Sequence, residues 1–581
     1  MKIKLVVIVL ISAVLSACAA SNTSSKNIHK GHPQAMVVTA NPHATKAGAE
    51  IIRAGGSAVD AAIAIEAVLS LVEPQSSGMA GGAFMVHFDN QSNKLTIYDG
   101  RETAPASATK DLFLDDSGQP MGFIQAKVSG ISTGVPGMLS LLQLAHQDHG
   151  LLGWGNHFAY AKRIASEGFE VSPRLHGMIQ RFGKYLPTTE DQGQTNAYHY
   201  FHTPTGEPLP VGHLLKNADY AKTLETIEQD PSAFYHGSIA KEIVATAQQS
   251  PRSSGITLED MAGYSAKRRT ALCMPFQDKS LCGPPPPSSW LAVGMTMGIL
   301  EKAHVFSEEG VQDPKNWSIF GEAQRLAYAD RDRFVADADA IIVPVNGLLN
   351  SDYLALRASE ISTHSAVENI KHGDPWAFNN TMSEKTGADA TLDIAGTSHF
   401  VVVDKQGDVV SVTATVESVF GSTRMVGGMF LNNQLTDFSF RYQDNEGLPI
   451  ANAVAPHKRP RSSMSPTIVL DSQGEFLMAT GSPGGNSIIA YTAKTLVGVL
   501  QWGLTPQQAV GLPNLVARGD LVRIERDRAS PELIQGLRDY GFKVKESAGE
   551  NSGLSVVVKH ADGELEGGVD PRREGVIEAI Y

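Results

Sequence analysis

"AGTSHFVVVDKQGDVVSVTAT", residues 395–415, carries the reading of this chain. Two apolar runs flank Lys405, Gln406 and Gly407, the pattern of a β-hairpin with a glycine-containing turn. In the first run His399, Val401 and Val403 share one face, and Phe400 and Val402 share the other. Apolar side chains on both faces predict a sheet covered on both sides. Working outward, "PTIVLD", "SQG" and "EFLMATGS" repeat the hairpin pattern, and "GSPGGN" precedes a helix expected over roughly 487–502. Upstream, "PHATKAGAEIIRA" and "SAVDAAIAIEAVLSLV" read as helices, the second capped by Ser57 and apolar enough all round to be buried. "GMAGGAFMVHF" and "KLTIYDG" read as strands, the latter stopping just before Arg101. Residues 136–250 read mostly as helices and loops, and "GPPPPSSW" as an irregular loop before another helix. Hairpins alternating with long buried helices predict layers of helix on sheet.

The chain has 581 residues, 42% hydrophobic and 19% charged, with a net charge of -13 and no basic block. That balance fits a folded protein and argues against nucleic acid as a partner, since phosphate binding needs clustered Lys and Arg. Residues 1–17 read as an export signal: Lys2 and Lys4, then a short apolar core, then Leu15-Ser16-Ala17-Cys18. That ending resembles the lipobox of bacterial lipoproteins. The resemblance implies lipidation of Cys18, a polar tether over 18–34, and a periplasm-facing protein attached to the membrane through the lipid alone. No Asp follows Cys18, which points to the outer membrane. The remaining cysteines, Cys273 and Cys282, are expected to form a local disulfide.

Three matches compete for a nucleophile. "GISTG" places Ser132 in a nucleophile-elbow pattern, but Val135-Pro136-Gly137 is poor material for the helix such an elbow requires. "SATK" at 107–110 and "KTG" at 385–387 pair as in penicillin-binding enzymes, yet the second lies in a polar stretch without a strand pattern. The third is Thr397 itself, following Gly396 at the head of a strand. A threonine hydroxyl needs a base, and an N-terminal threonine supplies its own in the α-amino group, whose reference pKa of about 8 suits neutral pH. The Gly396–Thr397 bond would have to break first, and glycine there is expected to tolerate the backbone strain of that attack. Spacing alone leaves this open against an ordinary strand edge.

Ordered motifs along the chain resemble the γ-glutamyltransferases, a family of N-terminal-nucleophile hydrolases. "GTSHFVVVDKQGDVVSVTATVESVFGS", "FLNNQLTDFS", "KRPRSSMSPTIV" and "GSPGGNSII" resemble its small subunit. "ATKAGAEIIRAGGSAVDAAIAI", "SGMAGGAFM", "GRETAP", "GVPGM" and "PPPPSS" resemble its large subunit, and "GVDPRREG" its C-terminal signature. The resemblance implies an α+β fold, a four-layer αββα sandwich built jointly by a large subunit, 35–396, and a small catalytic subunit, 397–581, after self-cleavage. It implies γ-glutamyl transfer from a glutathione-like small molecule to water or an acceptor amine, with no metal or cofactor.

Carried over residue by residue, the resemblance makes Thr397 the processing residue and the nucleophile, with Thr415 orienting it. Gly484 and Gly485 line an oxyanion hole. Arg101, Ser462 and Ser463 hold the substrate α-carboxylate, and Asp437, with Gln434, holds the α-ammonium. Glu417 stands where bacterial glutathione-active relatives commonly have Asn, and its charge is expected to disfavour a nearby substrate carboxylate. The segment between Phe438 and Lys458 is short for a lid, leaving Tyr442 as its one tyrosine. These departures leave two alternatives open: a glutaryl or cephalosporin-type acylase of the same fold, and an unprocessed surface binding protein. His29 and His32 lie in the tether without a supporting carboxylate, so no metal site is expected there.

Overall fold

The two apolar faces of the 396–417 hairpin decide where it lies. A computed structural model of the chain describes residues 31–188, 197–303, 307, 309–379, 383–391, 396–549 and 551–581. Residues 1–30, Cys18 and His29 among them, lie outside the described residues, and His32–Tyr581 form one compact unit. Strands Gly396–Val403 and Val409–Glu417 pair antiparallel, with Val403 opposite Val409 and Thr397 opposite Thr415. They form the middle of a seven-stranded sheet. Its order is Val576–Ile580, Ala35–Thr39, Gly396–Val403, Val409–Glu417, Gly82–Asp89, Lys94–Gly100, Lys267–Arg269. A six-stranded sheet runs Leu565–Val569, Ser555–Lys559, Phe476–Gly481, Thr467–Leu470, Lys279–Gly283, Leu272–Phe276.

The sheets bury their facing sides against each other through Val401, Val403 and Val409 on one and Ile468, Ala479 and Val557 on the other. Phe400 and Val402, on the opposite face, pack with helices Pro42–Arg53 and Ala58–Val72. Val469, Met478 and Val556 pack with helices Trp290–Ala303, Pro314–Phe334 and Ile488–Leu496. The result is the expected αββα layering. Ser57 caps its helix through a reciprocal capping box with Asp60, and that helix is buried along its whole length, as its composition demands.

Two local expectations needed refinement. The helix expected over roughly 487–502 is three successive pitches: a 3₁₀ turn at Gly485–Ser487, α-helix Ile488–Leu496, then a π turn Val497–Gln501. Residues 136–250 also contain a small antiparallel pair, Phe169–Glu170 with Leu214–Leu215. Cys273 and Cys282 are bridged across the outermost hairpin of the six-stranded sheet, directly opposite each other in register.

Candidate active site

The site grows from the head of the central strand. Thr397 Oγ1 lies 3.1 Å from Thr415 Oγ1, which lies 2.7 Å from the Gly396 carbonyl oxygen. A carbonyl only accepts, so the single Thr415 proton goes to Gly396, and the Thr397 hydroxyl must donate to Thr415. The Glu417 N–H also donates to Thr415 Oγ1, at 2.8 Å. Thr415 is thus saturated: it accepts twice and polarises the carbonyl of the Gly396–Thr397 peptide bond.

Gly396 also meets a need that its place before the strand did not reveal. That need is steric: a Cβ there would lie 2.5 Å from both the Glu417 backbone oxygen and the Ser418 carbonyl carbon. The opposing strand comes this close because its register shifts between Thr415 and Glu417, and Glu417 takes a left-handed backbone, φ 76°. That conformation is uncommon for a residue with a side chain and concentrates at functional sites.

Arg101, Thr397, Thr415, Glu417, Gln434, Asp437, Ser462, Ser463 and Gly485 line one narrow cavity, together with Met464 and Ile488. Gly484 lies just behind Gly485, with φ 139°; a Cβ on it would strike the Tyr491 ring. Ser132 is elsewhere, buried in a 3₁₀ turn with its hydroxyl on the Lys127 and Ser129 carbonyls. Thr386 of the Lys-Thr-Gly match bonds the Arg333 carbonyl and lies in no strand. Tyr442 packs beneath the Lys110 ammonium and does not line the cavity.

Distant motifs meet to build these walls. Asn432, in "LNNQLTD", bonds the Ala80 and Gly134 carbonyls and accepts from the Gly134 N–H, tying "GMAGG" and "TGVPG" beneath Gln434. The "PPPPSSW" loop holds the serine pair: the Ser289 N–H donates to the Ser462 carbonyl, and the Ser462 N–H to the Pro287 carbonyl. Arg331, fully buried, donates to Ser289 Oγ and Ser463 Oγ.

The charged residues are paired with one another. Arg101 Nη2 lies 2.5 Å from Asp437 Oδ2 and also donates to the Arg461 carbonyl, and Nε donates to the Pro460 carbonyl. Gln434 Nε2 donates to the same Asp437 oxygen at 2.7 Å. Glu417 is buried and accepts on Oε2 from Ser418 and Asn433. Its Oε1 and the Gln434 Oε1 have no hydrogen-bond partner among the described residues. Burial, joined by the Asp437 carboxylate, pushes the Glu417 carboxyl well above the usual range against the pull of Ser418, Asn433 and Lys127. That push favours the neutral carboxyl over the charged one, and a neutral carboxyl offers one donor and one acceptor, much as the amide of Asn does. Lys127, whose importance the sequence did not suggest, is lowered to about 8 by burial and donates to the Val419 carbonyl.

Two groups among the described residues have metal-like donor sets. Asp60, His146 and His157 serve as a helix cap: Asp60 Oδ2 takes the Ser57, Leu151 and Leu152 N–H groups, and Oδ1 meets His157 Nε2 at 2.9 Å. Contrary to the expectation that His32 lacks a supporting carboxylate, it lies beside Asp562 and Glu564, all three exposed. Neither lies in the cavity.

A sequence model of the gamma-glutamyltranspeptidase family matches residues 44–580. The chain belongs to this family. Among its relatives, glutathione hydrolase proenzyme from Escherichia coli K12 is 34% identical over 566 residues, covering 94% of this chain and 92% of that one. The Bacillus subtilis 168 protein of the same description is 33% identical over 553 residues, covering 94% and 91%. Among solved structures, cephalosporin acylase from Bacillus halodurans superposes with a TM-score of 0.80 at 23% identity, covering 95% of this chain and 96% of that one, a likeness of fold. Helicobacter pylori gamma-glutamyltranspeptidase gives 0.55 at 27% identity, over 62% of this chain and 99% of that one. The N-terminal-nucleophile fold read from the motifs is the fold of these neighbours.

Proposed function

We propose that this gamma-glutamyltranspeptidase family member cleaves itself between Gly396 and Thr397 and then hydrolyses or transfers γ-glutamyl groups of glutathione-like amides. The observation that carries this is the chain from Thr397 through Thr415 to the Gly396 carbonyl. In self-cleavage the Thr397 hydroxyl adds to the Gly396 carbonyl carbon and passes its proton toward Thr415. The C–N bond then breaks, the departing Thr397 nitrogen takes up that proton to become a free amine, and water hydrolyses the resulting ester to a Gly396 carboxylate and the Thr397 hydroxyl. In turnover that amine takes the hydroxyl proton as Thr397 adds to the γ-carbonyl, then returns it to the departing amine. The Gly485 end of the 3₁₀ turn faces the developing oxyanion. Water or an acceptor amine releases the γ-glutamyl ester.

Head-group recognition follows from the same cavity. A zwitterion exchanges the Arg101–Asp437 pair for two intermolecular ones: its carboxylate meets Arg101 and the serine pair, and its ammonium meets Asp437. The unpartnered oxygens of Glu417 and Gln434 add acceptors, and the arriving ammonium draws Glu417 toward its ionised form. The test is a denaturing gel with an activity assay. Wild type should run as two pieces of about 40 and 20 kDa, from the spans and the chain's 62.0 kDa over 581 residues, and prefer γ-glutamyl over glutaryl anilide. Thr397→Ala should stay whole and inactive; cleavage persisting in that variant would end the proposal. The export and lipidation reading belongs here too: mass spectrometry of the membrane-extracted protein should find diacylglyceryl Cys18 at the N-terminus, and an N-terminus that retains Met1 refutes it.

A further inference from the structure

The nucleophile strand is half-supported at its head. Its neighbour Ala35–Thr39 reaches only as far as Phe400, so on that side Gly396–His399 have no strand partner. Arg573 takes the vacant place. Its Nη1 donates to the Thr397 carbonyl at 2.9 Å, Nε to the Ser552 carbonyl and Nη2 to the Asn551 carbonyl. Gly553 makes room, since a Cβ there would lie 2.5 Å from Arg573 Cδ. Behind it, Glu73 Oε2 lies 3.7 Å from Arg573 Nη1 and accepts from Ser398 Oγ at 3.0 Å. Thr397 and Ser398 are therefore gripped by one buried ion pair, the first through its carbonyl and the second through its side chain.

We propose that Arg573, balanced by Glu73, is a positioning residue with a second effect: it sets how readily the Thr397 α-amine gives up its proton in the processed enzyme. The inference rests on the reading that Thr397 becomes N-terminal. The amine and the carbonyl belong to one residue, so a guanidinium on the carbonyl stands within a few ångströms of the nitrogen and disfavours the ammonium form. The base is then free at neutral pH. Glu73 offsets part of this. The other titratable groups facing the amine are Glu417, pushed toward its neutral form by burial, from the paired strand and Asp437, neutralised by Arg101, across the cavity. Lys127 stands behind Glu417 and Arg174 behind Glu73, at 3.7 Å. His399, two residues along, is held neutral by burial, which takes it down to about 3.

The experiment is the pH profile of kcat/KM with a γ-glutamyl anilide, for enzyme whose processing has been checked by gel. Activity rises with pH as the amine loses its proton. Removing the cation in Arg573→Gln should move this acid limb up by about one pH unit. Removing the anion in Glu73→Gln should move it down. Arg573→Lys should keep the limb and lower the plateau. Opposite shifts in the first two variants establish the charge effect; limbs that coincide with wild type in both overturn it. If Arg573→Gln folds with a wild-type melting transition but stays a single chain, the carbonyl grip is confirmed and Glu73→Gln alone decides the charge effect. Failure of the underlying reading looks different, namely a Thr397→Ala protein that still cleaves.

Discussion

Replacing Thr415 by Val tests the hydrogen-bond chain at its centre, because the side chain keeps nearly its shape and loses one oxygen. Three contacts go with that oxygen: the donation to the Gly396 carbonyl at 2.7 Å, the contact with Thr397 at 3.1 Å and the bond from the Glu417 N–H at 2.8 Å. The last leaves a buried N–H unpaired, which costs stability on the order of 1–3 kcal/mol. The first removes a preorganised donor from the carbonyl under attack, an effect worth about 3–4 kcal/mol in comparable oxyanion sites. Self-cleavage should therefore slow by roughly 10²–10³-fold, well beyond what the stability loss explains. The assay is the half-time for loss of the intact chain on a denaturing gel, with a urea midpoint measured alongside. Thr415→Ser, which retains the hydroxyl, should process within about tenfold of wild type. A Thr415→Val chain that cleaves as fast as wild type would refute the assignment of Thr415 as the group that polarises Gly396.

Gly396→Ala forces a methyl within 2.5 Å of the Glu417 and Ser418 backbone; we expect slower cleavage and a loss of about 1–3 kcal/mol in a denaturant titration. Glu66 is fully buried, and burial pushes it up to about 8. The folded state thus holds a proton that the unfolded chain has already released, so stability should fall as pH rises from about 4.5 to about 8; Glu66→Gln should flatten that slope in urea midpoints. Replacing Cys273 and Cys282 together by Ser opens a short loop in the edge hairpin. It should cost about 2–3 kcal/mol in urea while leaving kcat/KM unchanged, which a γ-glutamyl anilide assay checks.

The layering was legible because period-two alternation with apolar residues on both faces admits few arrangements. Val401 and Phe400 took the faces their positions demanded. The cavity residues were legible because each lies in a short motif of distinctive composition. What stayed hidden depends on groups far apart in the chain. Arg573 reaches a carbonyl 176 positions away, and nothing in "PRREG" says which arginine does so. The upward push on the Glu417 carboxyl comes from burial beneath other segments and from Asp437, whereas the sequence displays only a nominal charge. The need for glycine at 396 arises from the backbone opposite, at Glu417 and Ser418, which local conformational reasoning does not include.

The strand order of the seven-stranded sheet bears on what a cut would leave behind. Three strands from after residue 396 are interleaved with four from before it, Ala35–Thr39 being flanked on both sides by strands of the later segment. The two polypeptides are thus woven together. Separating them means tearing the central sheet and both of its cores, which is the same event as unfolding. Such a pair has no meaningful dissociation constant of its own: dilution should not part the halves at any concentration where the fold survives, and a severed backbone should behave in solution as one molecule.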